Sequence, residues 1–122
     1  MKKMMIASTL IISMAISAKD PITGRWETKP SEKGNVTGVL FKNDSILEGY
    51  INKKPFTSGV YHFSNKDSIL SFVDNGCNGA KAVYKVIIFS MGDSLRFKAI
   101  EDSCAERKEG MHRLIMGRVK VG

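Results

Sequence analysis

Residues 81–100 read KAVYKVIIFSMGDSLRFKAI, two apolar-rich runs divided by a turn. Along an extended chain successive side chains point to opposite faces. Tyr84, Val86 and Ile88 therefore share one face of the first run. Leu95, Phe97 and Ala99 share one face of the second, with Arg96 and Lys98 between them. Met91-Gly92-Asp93 carries turn residues, so the two runs form a hairpin. A lone hairpin is marginal in water and needs further strands to pair with.

Those strands are legible on both sides. Upstream, β-branched and aromatic runs occupy residues 22–28, 35–42, 46–52, 56–63 and 68–73, and a last run covers 111–121. Pro30, Asn43-Asp44-Ser45, Lys53-Lys54-Pro55, residues 64–67 and the Gly- and Asn-rich 74–80 divide them. No helical period stands out after residue 20. Every connection is too short for a parallel crossover, which takes a dozen or more residues, so neighbours pair antiparallel. An open eight-strand meander would leave two bare edges, and closure removes them. The expected fold is all-β: an eight-stranded antiparallel up-and-down meander barrel. A two-sheet sandwich competes, but nothing requires a strand to change sheets. Tight turns at connections 2–3, 4–5 and 6–7 define one end, and longer loops at 1–2, 5–6 and 7–8 define the other. Cys77 and Cys104 both fall at the loop end, where a disulfide between them closes a loop of under 30 residues, worth roughly 3 kcal/mol.

The first 18 residues have the layout of an export signal: Lys2 and Lys3, an apolar stretch, then small residues. Cleavage is expected after Ser17 or Ala18, leaving a single domain over 19–122, secreted or periplasmic, monomeric, and with no stable membrane span. Without Lys2 and Lys3, 17 basic residues face 12 acidic ones. The excess is scattered, and no nucleic-acid motif accompanies it. His62 and His112 stand alone, so no metal site is expected. No Gly-x-Ser-x-Gly or His-Glu-x-x-His pattern occurs, and neither an enzyme nor a cofactor is expected.

Trp26, the chain's single tryptophan, sits near the start of the first strand, at the tight-turn end. The final strand returns to that end carrying Arg118. A guanidinium stacked on the indole would close the barrel floor, with Gly24 leaving room for close approach. These residues also carry a resemblance. Gly24-Arg25-Trp26, an eight-strand meander and a late arginine resemble the lipocalins and the wider calycin group. Tyr61, Leu70-Ser71-Phe72, Cys77, Tyr84, Asp93-Ser94-Leu95 and Asp102-x-Cys104-x-x-Arg107 are similar to small secreted bacterial lipocalin-like proteins. The resemblance implies Trp26 as floor residue and Arg118 as its partner, with Arg113 a rival for that role. It permits carriage of a small ligand as well as inhibition or scaffolding.

The expected interior set includes Tyr61, Phe63, Leu70, Phe72, Tyr84, Val86 and Phe97, while Tyr50 and the eighth strand read with either parity. As an apolar cup, Tyr61, Phe63, Phe72, Tyr84, Val86 and Phe97 would contact a small apolar ligand. As a filled core, which the small domain favours, the barrel would be a scaffold whose rim loops meet a protein partner. Asp102 and Arg107 are expected to pair and brace the cysteine segment.

Overall fold

Turn chemistry and alternation produce the expected architecture. The computed structural model describes residues 20–120; the expected export signal and its cleavage site lie outside them. Eight strands run in order: β1 (Gly24–Thr28), β2 (Thr37–Phe41), β3 (Ile46–Ile51), β4 (Lys54–Ser64), β5 (Ile69–Asp74), β6 (Ala82–Phe89), β7 (Ser94–Asp102) and β8 (Ile115–Arg118). Each pairs antiparallel with its neighbours, and β8 pairs back onto β1 to close the barrel. At the seam Trp26 faces Arg118, Glu27 faces Gly117 and Thr28 faces Met116.

Two expectations about elements are corrected. The third connection is the pair Asn52-Lys53, not Lys53-Lys54-Pro55. Both residues adopt positive φ, 52° and 68°, as in the turns that match the twist of a two-residue hairpin. Asn52 suits that conformation, and its side chain also accepts the Val36 N–H at 2.8 Å. Strand β4 therefore begins at Lys54, and a register shift opposite Gly49 and Tyr50 accommodates Pro55 and Phe56.

The larger correction lies before β8. Residues 105–112, expected to be irregular or the start of the last strand, form helix α1 (Ala105–His112). Ala105, Glu106, Arg107, Lys108 and Glu109 favour helix intrinsically. Glu106 in the first turn and His112 in the last complement the helix dipole. The helix buries no residue completely, so it lacks the apolar stripe that marks a helix in sequence. The last strand is consequently only Ile115–Arg118.

Alternation sends Trp26, Phe41, Leu47, Tyr61, Phe63 and Leu70 into the interior, with Phe72, Tyr84, Val86, Leu95, Phe97 and Met116. Ile22, just before β1, is fully buried against them. The parity of β8 is now fixed: Met116 is buried and Leu114 packs on the core, while Ile115 is 61% exposed. Tyr50 is buried on the outer face. In the register it aligns with Gly38 and Glu27, which alternate with inward Val39 and Trp26. Its ring lies over Gly38, and a Cβ there would meet the ring at 2.1 Å. The Tyr50 hydroxyl donates to Glu27, and the Arg25 guanidinium stacks on the ring.

Candidate functional site

The two ends of the barrel are built differently. At the tight-turn end the Arg118 guanidinium lies 4.3 Å from the Trp26 ring centroid. Its N–H groups donate to the carbonyls of Pro21 at 2.7 Å and Thr23 at 3.0 Å, and at 3.3 Å to Gly92. The Trp26 indole N–H donates to the Ile22 carbonyl at 2.8 Å. Gly24, at φ 120°, passes beneath the guanidinium, where a Cβ would lie 3.4 Å from Nη1. One cation thus ties the entry to β1, the last tight turn and the end of β8. Arg113 does not share this role. It caps α1 at the opposite end and pairs with Glu109 at 3.0 Å.

Above the floor the interior is divided. Tyr61, Phe63 and Val86 pack toward the tight-turn end, where the Phe41 and Tyr61 rings meet edge to face at 5.1 Å, and Tyr84 reaches from β6 toward Asp102 at the loop end. Toward the loop end the interior opens into a cavity that, with its open mouth, has a volume of about 1100 Å³ and is lined at depth by Val39, Phe41, Leu47, Leu70, Phe72 and Met116. Small-molecule sites are roughly 300–1,000 Å³, so the space suffices for one small ligand. Met111 and Leu114 approach from α1 and the start of β8. Residues of the β1–β2 and β5–β6 connections form the rim. The fully filled core favoured by the domain's size is therefore corrected. Gly49 on β3, aligned with inward Val39, presents no side chain to the interior.

Of the six expected contact residues, Phe72 and Phe97 line the cavity. Tyr61, Phe63, Tyr84 and Val86 are buried outside its lining. Val39, Phe41 and Leu47 were missed, although the alternation of β2 and β3 carried their signal. Met111 was missed because α1 was.

A polar cluster forms one wall. The disulfide Cys77–Cys104 joins the 3-10 turn Cys77–Gly79 to the start of α1, with Cα atoms 5.9 Å apart. Arg107, one turn on, reaches back. Its Nε and Nη2 donate to the two Asp102 carboxylate oxygens, each at 2.9 Å. Its Nη1 donates to Asp74 at 3.1 Å and its Nη2 to the Ala80 carbonyl at 2.8 Å. The guanidinium also covers the Phe72 ring at 5.3 Å. The Tyr84 hydroxyl donates to Asp102 at 2.6 Å. The expected brace between Asp102 and Arg107 is thus present, and Asp74 joins it.

Electrostatics within the cluster follow from burial. Desolvation pushes the Asp102 carboxyl upward, but hydrogen bonds from Arg107, Tyr84 and the Cys104 N–H outweigh it and hold the group below the ordinary carboxylate value. Burial first, then the bond to Asp102, raises the Tyr84 phenol well above its usual range. The hydrogen bond to Asp102 outweighs desolvation and raises Arg107. The ion pair is therefore fixed in its charged form at neutral pH.

Among the described residues no group of three or more His, Cys, Asp or Glu is placed to hold a metal ion. What the arrangement can do chemically is enclose an apolar body and meet one polar end of it at the Asp74–Arg107 wall. Comparison with protein-family models, curated proteins and solved structures returns no match for this chain.

Proposed function

We propose that this chain is an exported, lipocalin-like binding protein of the calycin type that holds one small, mainly apolar molecule and performs no chemistry on it. The observation that carries this reading is the cavity of about 1100 Å³ opening among the loops, apolar at depth and polar at its rim. Burying an apolar ligand there would gain about 25 cal/mol for each Å² removed from water. A closed, hydrogen-bonded barrel holds the walls apart before the ligand arrives, which lowers the ordering cost of binding. The open upper half supports this reading over a scaffold that meets a protein partner through its rim loops.

An apolar fluorophore such as N-phenyl-1-naphthylamine tests the proposal. One saturable site is expected, and Val39→Trp is expected to abolish it by filling the part of the cavity that Val39 lines. The variant should keep a cooperative thermal transition. Absence of saturable binding, or full binding by a folded Val39→Trp protein, would refute the proposal. Native mass spectrometry of protein purified from its exported fraction would reveal a retained molecule directly.

A further inference from the structure

We propose that Asp74 makes the polar end of this cavity a cation-accepting site, so that the preferred ligand is an apolar molecule bearing a protonated amine, not a carboxylate. The inference rests on the binding reading above and specifies the ligand's head group.

It follows from how the wall cluster is satisfied. Asp102 has a fully buried side chain and four hydrogen-bond donors. The Cys104 N–H and Arg107 Nη2 serve Oδ1, while the Tyr84 hydroxyl and Arg107 Nε serve Oδ2. One full negative charge thus already balances Arg107. Asp74 adds a second carboxylate to the same guanidinium. Its side chain is only 9% exposed, and that of Arg107 only 8%. Asp74 Oδ1 accepts from the Gly76 N–H at 3.0 Å and from Arg107 at 3.1 Å. Among the described residues, Oδ2 accepts no hydrogen bond. Asp74 sits on the inner face of β5, two residues beyond Phe72, and both line the cavity.

The wall therefore presents two carboxylates to one cation, with lone pairs unfilled on the carboxylate that lines the cavity. A buried acceptor without a donor is costly, and a charge-assisted donor meets it best. A ligand ammonium supplies up to three N–H donors and the missing positive charge. A ligand carboxylate would bring a third negative charge to the same place. The other charged groups lining the cavity are Lys29, Glu106 and Arg113. All three are exposed at the rim, and Arg113 is paired with Glu109. Solvent and salt screen those charges far more than the buried cluster.

The test is displacement of N-phenyl-1-naphthylamine near neutral pH by nonylamine, nonanol and nonanoate, which share one apolar chain. The amine is expected to bind at least about tenfold tighter than the carboxylate, with the alcohol between them. Raising the salt to about 0.5 M should preserve the order, because the discriminating charge is buried. Asp74→Asn should bring the amine down to the affinity of the alcohol. Equal binding of all three, tighter binding of nonanoate, or collapse of the order in salt overturns the inference while leaving the binding reading intact. So does an unchanged amine preference in a folded Asp74→Asn variant. Failure of all three compounds, together with failure of the fluorophore, would instead sink the binding reading. The wild-type order decides the matter even where Asp74→Asn does not fold.

Discussion

Trp26 is fully buried, and its indole both plugs the floor and supports Arg118. Trp26→Ala should therefore cost roughly 3–5 kcal/mol in denaturant unfolding, the range for a large aromatic cut from a core; a loss below about 1 kcal/mol would contradict the floor assignment. Asp102 is the second residue whose role is sharply testable. Its folded pKa lies below its unfolded value, which is about 3.9. The stability it contributes is thus complete above that value and disappears as pH falls through the lower folded one. Equilibrium unfolding across the acid range should show this loss. Asp102→Ala should cost roughly 3–5 kcal/mol near neutral pH, because Arg107 would be left with an incomplete partner set. The same variant should flatten the acid-side slope. At this scale the sequence was informative where side chains are chemically singular. Trp26 and Arg118 could be matched because each is a large group at the same barrel end. Asp74 could not, since a carboxylate beside a Gly- and Asn-rich loop looks like ordinary turn chemistry.

Helix α1 shows what pattern reading misses. Its residues Ala105–His112 favour helix individually, yet no apolar stripe marks them, because the disulfide and Arg107 hold the helix in place of a buried face. Replacing both cysteines by serine should therefore lose roughly 3 kcal/mol of stability, the worth of closing a loop of this length. Hydrogen exchange should rise first in the α1 amides and leave the central strands protected. The strands were legible because β-branched and aromatic residues alternate between turn residues. Their limits shifted where one turn was shorter than composition suggested, at Asn52-Lys53. Outward-facing Tyr50 escaped assignment because the groups that cover it, Gly38, Glu27 and Arg25, lie on neighbouring strands and leave no mark in its own run. Its packing also explains Gly38. Gly38→Ala should displace the Tyr50 ring from Glu27 and destabilise by about 1–3 kcal/mol, measurable by thermal or denaturant melting.

For the molecule as a whole, closure is the event on which every other feature depends. The seam joins residues from opposite ends of the described chain, Trp26 to Arg118 and Thr28 to Met116. Contacts so distant in sequence form slowly, and folding is expected on the millisecond-to-second scale. Truncation after Leu114 should leave β1 and β7 with bare edges and yield aggregates, not a monomer, on size-exclusion chromatography. The cavity was the least legible whole-molecule property. Small size argues for a filled interior, whereas its actual volume depends on the inward Gly49 of β3 and on α1 standing at the mouth. The position of Trp26 has a spectroscopic consequence. The sole indole lies in the sealed floor and is absent from the cavity lining, so its intrinsic emission should be blue-shifted and resist acrylamide quenching. A bound guest should leave that signal nearly unmoved, while parting of the first and last strands should shift it to the red, making the protein's own light a reporter of the seam alone.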